Sequence, residues 1–232
     1  SKVPKIQRIR NRREVIMENI WNSLHGVGNH SDHGEDKNRE KKFVDSLNID
    51  GFNCLDLGFN YGWWSWLFLK NIGRDGKVYA WEPNNFLYEN YLAKWPFKNL
   101  VGYNYAVSDT NGEQNFYVYS DKETDSALNS LEKIGDREPK KIVKLKTKRL
   151  DDWWSENGGP NIDFIKIDCE GHDLKILQGG KQLIEIARPS YIVIEQTDQG
   201  VKEFMKSVNY TDENNHNQLG LVDTVWIKGE AS

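Results

Sequence analysis

An α/β domain with a central parallel sheet and helices on both faces is the fold class this sequence predicts. Three observations carry it. Short, near-continuous apolar runs recur at residues 52–57, 77–81, 162–168 and 191–194, the pattern of strands buried on both faces. Segments with helical periodicity separate them, as right-handed βαβ units require. Acids and glycines gather where the runs end, the edge at which such sheets bind ligands.

Taken in order, Val15, Ile16, Ile20, Trp21 and Leu24 recur near the 3.6-residue period and predict a helix over residues 14–24. Residues 25–38 are polar and glycine-containing, so they are expected to form a loop, a candidate lid. A short helix over residues 40–47 leads into the first strand, 52–57, which ends at Gly58; residues 61–71 are again helical. The strand 77–81 closes on Glu82-Pro83, and Asn84 can cap a helix to about residue 94. Residues 100–107 form a third strand, Asn111-Gly112 a two-residue turn, and residues 114–119 are expected to pair with what precedes them. Residues 142–147 alternate like an exposed strand, and the apolar strand 162–168 carries one lysine. Residues 173–187 are helical but weakened by Gly179-Gly180. A buried strand at 191–194, a helix at 201–208 and a last strand at 221–227 complete the order. Residues 1–40 (arm, helix and polar loop) divide from an α/β domain over residues 41–232.

Composition narrows the function. No apolar run approaches the roughly 18 residues of a spanning helix, so no membrane span is expected. The basic N-terminal stretch lacks a following apolar segment and does not read as a signal peptide. Cys54 and Cys169 lie in or beside apolar runs and read as buried free thiols, which points to the cytoplasm. A net charge of −4 argues against nucleic acid as a partner. Two basic stretches stand apart: Lys2 to Arg13 before any acid, and Lys140, Lys141, Lys144, Lys146, Lys148 and Arg149. They read first as solvated faces, with an anionic substrate as the alternative. His25, His30 and His33 share a polar loop with Asp32, Glu35 and Asp36, but their irregular spacing does not define a ligand set, and no metal site is expected. Trp63, Trp66 and Leu67 sit at helical spacing and read as core rather than as a sugar platform.

The strand ends carry the chemistry. The first continues Asp56-Leu-Gly58-Phe-Asn60-Tyr-Gly62 into a helix, whose free N–H groups can meet a carboxylate. The three-glycine dinucleotide spacing is absent, and Asp56 would repel a pyrophosphate but welcome an ammonium. A ligand with both groups is an amino acid. The second strand ends at Glu82, 24 residues after Gly58, where an acid can accept both hydroxyls of a ribose. An amino acid joined to a ribonucleoside describes S-adenosyl-L-methionine. After the third strand, Asp109 could accept from an adenine amino group or merely start the turn. In the fourth, Lys166 and Asp168 share one face, and a lysine in such a strand needs a carboxylate partner. The next ends at Glu195-Gln196.

These residues, in this order, resemble the FkbM-type methyltransferases. The matching segments run from Asp56-Leu-Gly-Phe-Asn-Tyr-Gly62 through Val78-Tyr-Ala-Trp-Glu-Pro83, Ala106-Val-Ser-Asp109 and Leu150-Asp-Asp-Trp153. The longest begins Asp163-Phe-Ile-Lys-Ile-Asp-Cys-Glu-Gly-His172. The resemblance implies a Rossmann-like class I methyltransferase fold, a mostly parallel seven-stranded sheet with an antiparallel last strand. It implies S-adenosyl-L-methionine as cofactor, with Asp56, Gly58, Asn60, Gly62, Glu82, Ala106, Asp109 and Asp168 around it. It also implies methyl transfer to a hydroxyl of a sugar, glycoconjugate or small natural product. The aromatic stretch Tyr61-Gly-Trp-Trp-Ser-Trp66 departs from the small and aliphatic residues expected there, and the region before residue 40 lies outside the match.

An alcohol acceptor must lose a proton, so a base near the methyl is expected. Asp168 is the first candidate, with Lys166 and Glu195 beside it and His172 behind. The competing readings are an RNA ribose 2′-O-methyltransferase, with the basic arm on phosphates, and a non-catalytic scaffold that keeps the cofactor pocket. The sequence does not specify an oligomeric state.

Overall fold

Strands buried on both faces set the architecture. The computed structural model describes residues 34–119, 135–212 and 223–229, together with residues 15, 19, 21–23 and 129–133. The elements in chain order are α1 (Gly34–Ser46), β1 (Asn53–Leu57), α2 (Trp63–Asn71), β2 (Lys77–Trp81), α3 (Asn85–Asn90) and a 3-10 turn (Leu92–Lys94). Then come β3 (Leu100–Tyr103), β4 (Ala106–Ser108), β5 (Gly112–Val118), β6 (Lys141–Arg149), α4 (Leu150–Glu156) and β7 (Phe164–Ile167). The last are α5 (Asp173–Gly179), α6 (Lys181–Ala187), β8 (Tyr191–Ile194), α7 (Gln199–Ser207), β9 (Tyr210–Asp212) and β10 (Thr224–Lys228).

The main sheet has seven strands in the order β3-β2-β1-β7-β8-β10-β9. Neighbours are parallel except at β10, which runs antiparallel to both β8 and β9. The expected class I sheet is therefore present, its antiparallel strand last in sequence. Every residue of β7 is buried, and the strand lies between β1 and β8 at the centre. Order reverses between β1 and β7, which places the ligand edge at Leu57–Gly58 and Asp168. One apolar layer packs Leu55, Trp81, Trp153 and Ile165, and the other packs Phe43, Trp66, Phe68 and Phe164.

Several expectations need correction. Residues 34–38 are not loop: α1 starts at Gly34. Glu35 and Asp36 favour its first turn, and Lys41 pairs with Asp45 at 2.8 Å one turn on. Phe43 and Val44, both fully buried, anchor the far end. Residues 25–33, the basic arm, the three histidines and most of the expected first helix lie outside the described residues, although Trp21 is buried against Trp63 and Trp66.

The expected third strand is two. Its first half, β3, stays in the main sheet, while β4 enters a second sheet of order β4-β6-β5. Residues 114–119 accordingly do not pair with what precedes them. β5 pairs antiparallel with β6, which also takes β4 in parallel. The predicted helix over 173–187 is broken at Gly179-Gly180 into α5 and α6. A Cβ on Gly179 would lie 2.1 Å from the Ser108 carbonyl oxygen, so the chains touch backbone to backbone there. Asp151 then holds the start of α6 by accepting from the N–H groups of Leu183 (2.9 Å) and Gln182 (3.3 Å). Asn84 caps α3 as expected, accepting from Phe86 N at 2.9 Å.

Candidate active site

An open cleft lies over the C-terminal ends of β1, β2 and β7. Of the residues expected at a cofactor, Gly58, Asn60, Glu82, Ala106 and Asp168 line it. Gly58 (φ 98°) is there because nothing larger fits: a Cβ would sit 2.0 Å from the Asp168 carbonyl oxygen. That contact ties the β1 turn to the end of β7, and Asp168 N–H donates to Leu57 O at 2.9 Å beside it.

Glu82 is 5% exposed, and each oxygen is already fixed. Oε2 accepts from Asn60 N–H at 2.7 Å and Oε1 from Asn84 N–H at 2.8 Å. Asn60, with φ 50°, bends the β1 turn to bring its N–H to that carboxyl. A carboxylate has roughly four acceptor sites, so two remain on a side chain held from both ends. Burial pushes Glu82 up to about 7, against the two amide bonds.

The other expected cofactor residues stand back from the cleft. Asp56 is 1% exposed and turns toward α2, where the Ser65 hydroxyl donates to Oδ2 at 2.5 Å. Burial raises its carboxyl to about 7. Gly62 is the N-cap of α2, and a Cβ there would strike the rings of Phe59 and Trp95. Asp109 accepts from the Ser108 hydroxyl at 3.0 Å and is not among the lining residues.

Sequence reasoning missed much of the wall. Trp81, Tyr105 and Phe116 supply its apolar surface, and residues 129–131 close one side, next to His172, which the sequence had placed behind Asp168. Ser130 pairs with Tyr117 through both backbone groups (2.8 and 3.2 Å), and its hydroxyl donates to Glu170 O at 2.7 Å. Glu132 Oε1 lies 2.8 Å from His172 Nδ1 and 2.9 Å from Lys175 Nζ, and His172 Nε2 lies 3.0 Å from Ser108 Oγ. Burial lowers the His172 imidazole despite Glu132. No period or motif marks residues 129–132, since only the fold brings them to the cleft. Cys169, expected to be buried, is only partly so and lines the cleft, its Sγ 3.3 Å from Leu57 O.

Beyond Asp168 the chemistry changes. Lys166 is fully buried, yet its ammonium lies 3.2 Å from Asp223 Oδ2, 3.5 Å from Asp168 Oδ2 and 5.4 Å from the Trp64 ring centre. It also donates to Ile167 O at 3.2 Å. The carboxylates around it, Asp168 foremost, keep it protonated against burial. Lys166 therefore orients acids and does not itself reach the cleft. Asp168, 36% exposed, lines the cleft and belongs to this cluster as well. Asp168, Glu170 and Glu195 bring oxygens within 4.8 Å of one another. Burial and Asp168 push Glu195 up to about 8, and burial lifts Glu170 to about 7.

A family model for the FkbM methyltransferase domain matches residues 56–217. The chain belongs to the FkbM methyltransferase family. Among relatives, 2-O-methyltransferase NoeI from Sinorhizobium fredii (strain NBRC 101917 / NGR234) is 27% identical over 163 residues, 64% of this chain and 65% of that protein. The FkbM domain is also similar to solved structures at low identity. Methyltransferase FkbM from Methylobacillus flagellatus KT is 12% identical with a TM-score of 0.48, over 79% of this chain and 45% of that one. A SAM-dependent methyltransferase from Aquifex aeolicus is 15% identical with a TM-score of 0.42, over 79% and 85%. Fibrillarin from Aeropyrum pernix, solved with S-adenosyl-L-methionine, is 12% identical with a TM-score of 0.41, over 78% and 67%.

The cofactor of an FkbM domain of this kind is S-adenosyl-L-methionine, and the donor set fits it. Glu82 keeps spare acceptor sites in a buried position, Gly58 leaves backbone where a Cβ cannot stand, and an apolar aromatic wall continues from Trp81 to Phe116. Among the described residues no helix is long and apolar enough to cross a membrane.

Proposed function

We propose that this chain is an S-adenosyl-L-methionine-dependent O-methyltransferase acting on a hydroxyl of a sugar, glycoconjugate or small natural product. The observation that carries the reading is the double membership of Asp168. Among the described cleft carboxylates it alone pairs with Lys166, at 3.5 Å. The resemblance to a protein named as a 2-O-methyltransferase supports oxygen as the acceptor atom.

When bound, S-adenosyl-L-methionine supplies an electrophilic methyl group. The residues of the chain do the rest. Glu82 accepts from ribose hydroxyls, its rotamer held by Asn60 and Asn84. Gly58 and the β1 turn present backbone to the amino-acid end, and Asp56 backs that turn through Ser65. Trp81, Tyr105 and Phe116 exclude water from the nucleoside end. Asp168 accepts the proton of the acceptor hydroxyl at a carboxylate oxygen, or orients that hydroxyl. Lys166 holds Asp168 in place, and Glu195 stands beside it.

Asp168→Asn preserves shape and removes the charge. Turnover should fall by about a hundredfold, the scale of general acid–base help. Cofactor affinity, measured by calorimetry, should change much less, because the ribose contacts lie on Glu82. Near-normal turnover would leave Asp168 a structural partner of Lys166. A parallel loss of cofactor binding and melting temperature would mean that the pair holds the sheet end together.

A further inference from the structure

Residues 129–132 form a strap along one side of the cleft and belong to no strand or helix. Asn129, Ser130 and Leu131 line the cleft, and Glu132 does not. An isolated bridge ties Ser130 to Tyr117 of β5, and Asn129 Oδ1 accepts from Tyr119 N–H at 3.0 Å. That is the nucleoside wall, to which Phe116 of the same strand belongs. Ser130 Oγ donates to Glu170 O, in the loop that carries Asp168. The strap therefore reaches from the nucleoside wall to the reacting end, and side chains fix much of its position.

Its far anchor is a buried imidazole. His172 is 2% exposed, lines the cleft and has both ring nitrogens engaged, Nδ1 with Glu132 and Nε2 with Ser108. The charged groups that face it are Glu132 on the strap, Lys175 on α5 and Asp109 after β4. Burial acts against ionisation of Glu132, but Lys175 and His172 hold its carboxyl below its usual value. A carboxylate only accepts, so Nδ1 must carry a hydrogen. Burial lowers the imidazole, so the ring is neutral at pH 7 and turns a bare Nε2 to Ser108. Ser108 Oγ accepts from Gln114 Nε2 at 2.8 Å, and its own hydrogen can turn from Asp109 to Nε2. The hydrogen bonds then run one way, from Gln114 through Ser108 and His172 to Glu132, and each polarises the next.

We infer that this relay positions the cofactor: Glu132 and His172 fix residues 129–131 against the nucleoside end of the cleft. Glu132 is a positioning residue, acting through the strap and the imidazole.

The test uses the full chain with S-adenosylhomocysteine and no acceptor, so it is independent of the hydroxyl reading above. Nitrogen NMR of the free protein, above the titration of His172, should find the imidazole hydrogen on Nδ1. Calorimetry should show Glu132→Ala weakening S-adenosylhomocysteine binding about tenfold, the scale of one hydrogen bond to a charged group. Glu132→Gln keeps an acceptor for Nδ1–H and should recover most of that loss. The double variant His172→Ala with Glu132→Ala should bind little worse than His172→Ala alone, because the two side chains act as a unit. Hydrogen exchange on the wild type needs no variant to fold: the Ser130 and Tyr117 amides should become better protected when S-adenosylhomocysteine binds. A hydrogen on Nε2 overturns the inference, as does unaltered protection of those amides. So does unchanged affinity in Glu132→Ala, or a loss in Glu132→Gln equal to that in Glu132→Ala.

Discussion

Glu82 has every feature of a group waiting for hydroxyl donors. Two backbone amides fix its carboxyl, burial lifts it to about 7, and its free acceptor sites face the cleft. Ribose hydroxyls bond more strongly to the ionised form than to the protonated one, so cofactor binding and deprotonation are linked. Below about pH 7 the unbound carboxyl holds a proton, and binding must expel it. Cofactor affinity should therefore weaken as pH falls through that value and level off above it. Calorimetry from pH 5.5 to 8.5 reads this directly. Glu82→Gln should flatten the profile and weaken binding by roughly ten- to a hundredfold, the worth of charge-assisted hydrogen bonds. A profile in the variant as steep as the wild type's would assign the titration to another group.

At the scale of elements, what was legible in the sequence followed local rules. The pairing of Lys166 with Asp168 could be read from two-residue alternation in an apolar strand, and Glu82 from its place at a strand end. The division of residues 100–107 between two sheets could not, because only one polar residue, Asn104, interrupts the strand-like run there. The early start of α1 was hidden by a surface so polar that only its far end shows an apolar face. Glu40, Asp223 and the Glu132–His172 contact depend on chain crossings that no spacing encodes. The segment Leu150-Asp-Asp-Trp153, read as a family signature, has a structural use: Asp151 holds two N–H groups of α6 from another helix. Asp151→Ala should cost about 1–2 kcal/mol, as losing a helix cap does. In a chain of this size that lowers the melting temperature by about 2–8 °C, with cofactor affinity unchanged. A drop in affinity larger than threefold would show that α6 also shapes the cleft.

Over the whole molecule, the central switch point and the flanking segments have separate tasks. The span 56–217 provides most of the sheet and the residues that line the cofactor cleft. The segments on either side of it add α1, β10 and Asp223, whose carboxylate lies 3.2 Å from the Lys166 ammonium. The net charge of −4 weighs against an RNA acceptor, and a carboxylate paired with a buried lysine at the cleft edge weighs for catalysis over a scaffold. The account stands most directly on one measurement, mass spectrometry of acceptor sugars incubated with the full chain and methyl-labelled S-adenosyl-L-methionine. It predicts a single labelled methyl on a hydroxyl oxygen of the sugar, formed only with the cofactor present. Tight cofactor binding with no labelled product on any hydroxyl, or a label carried on nitrogen or carboxylate instead, would contradict it.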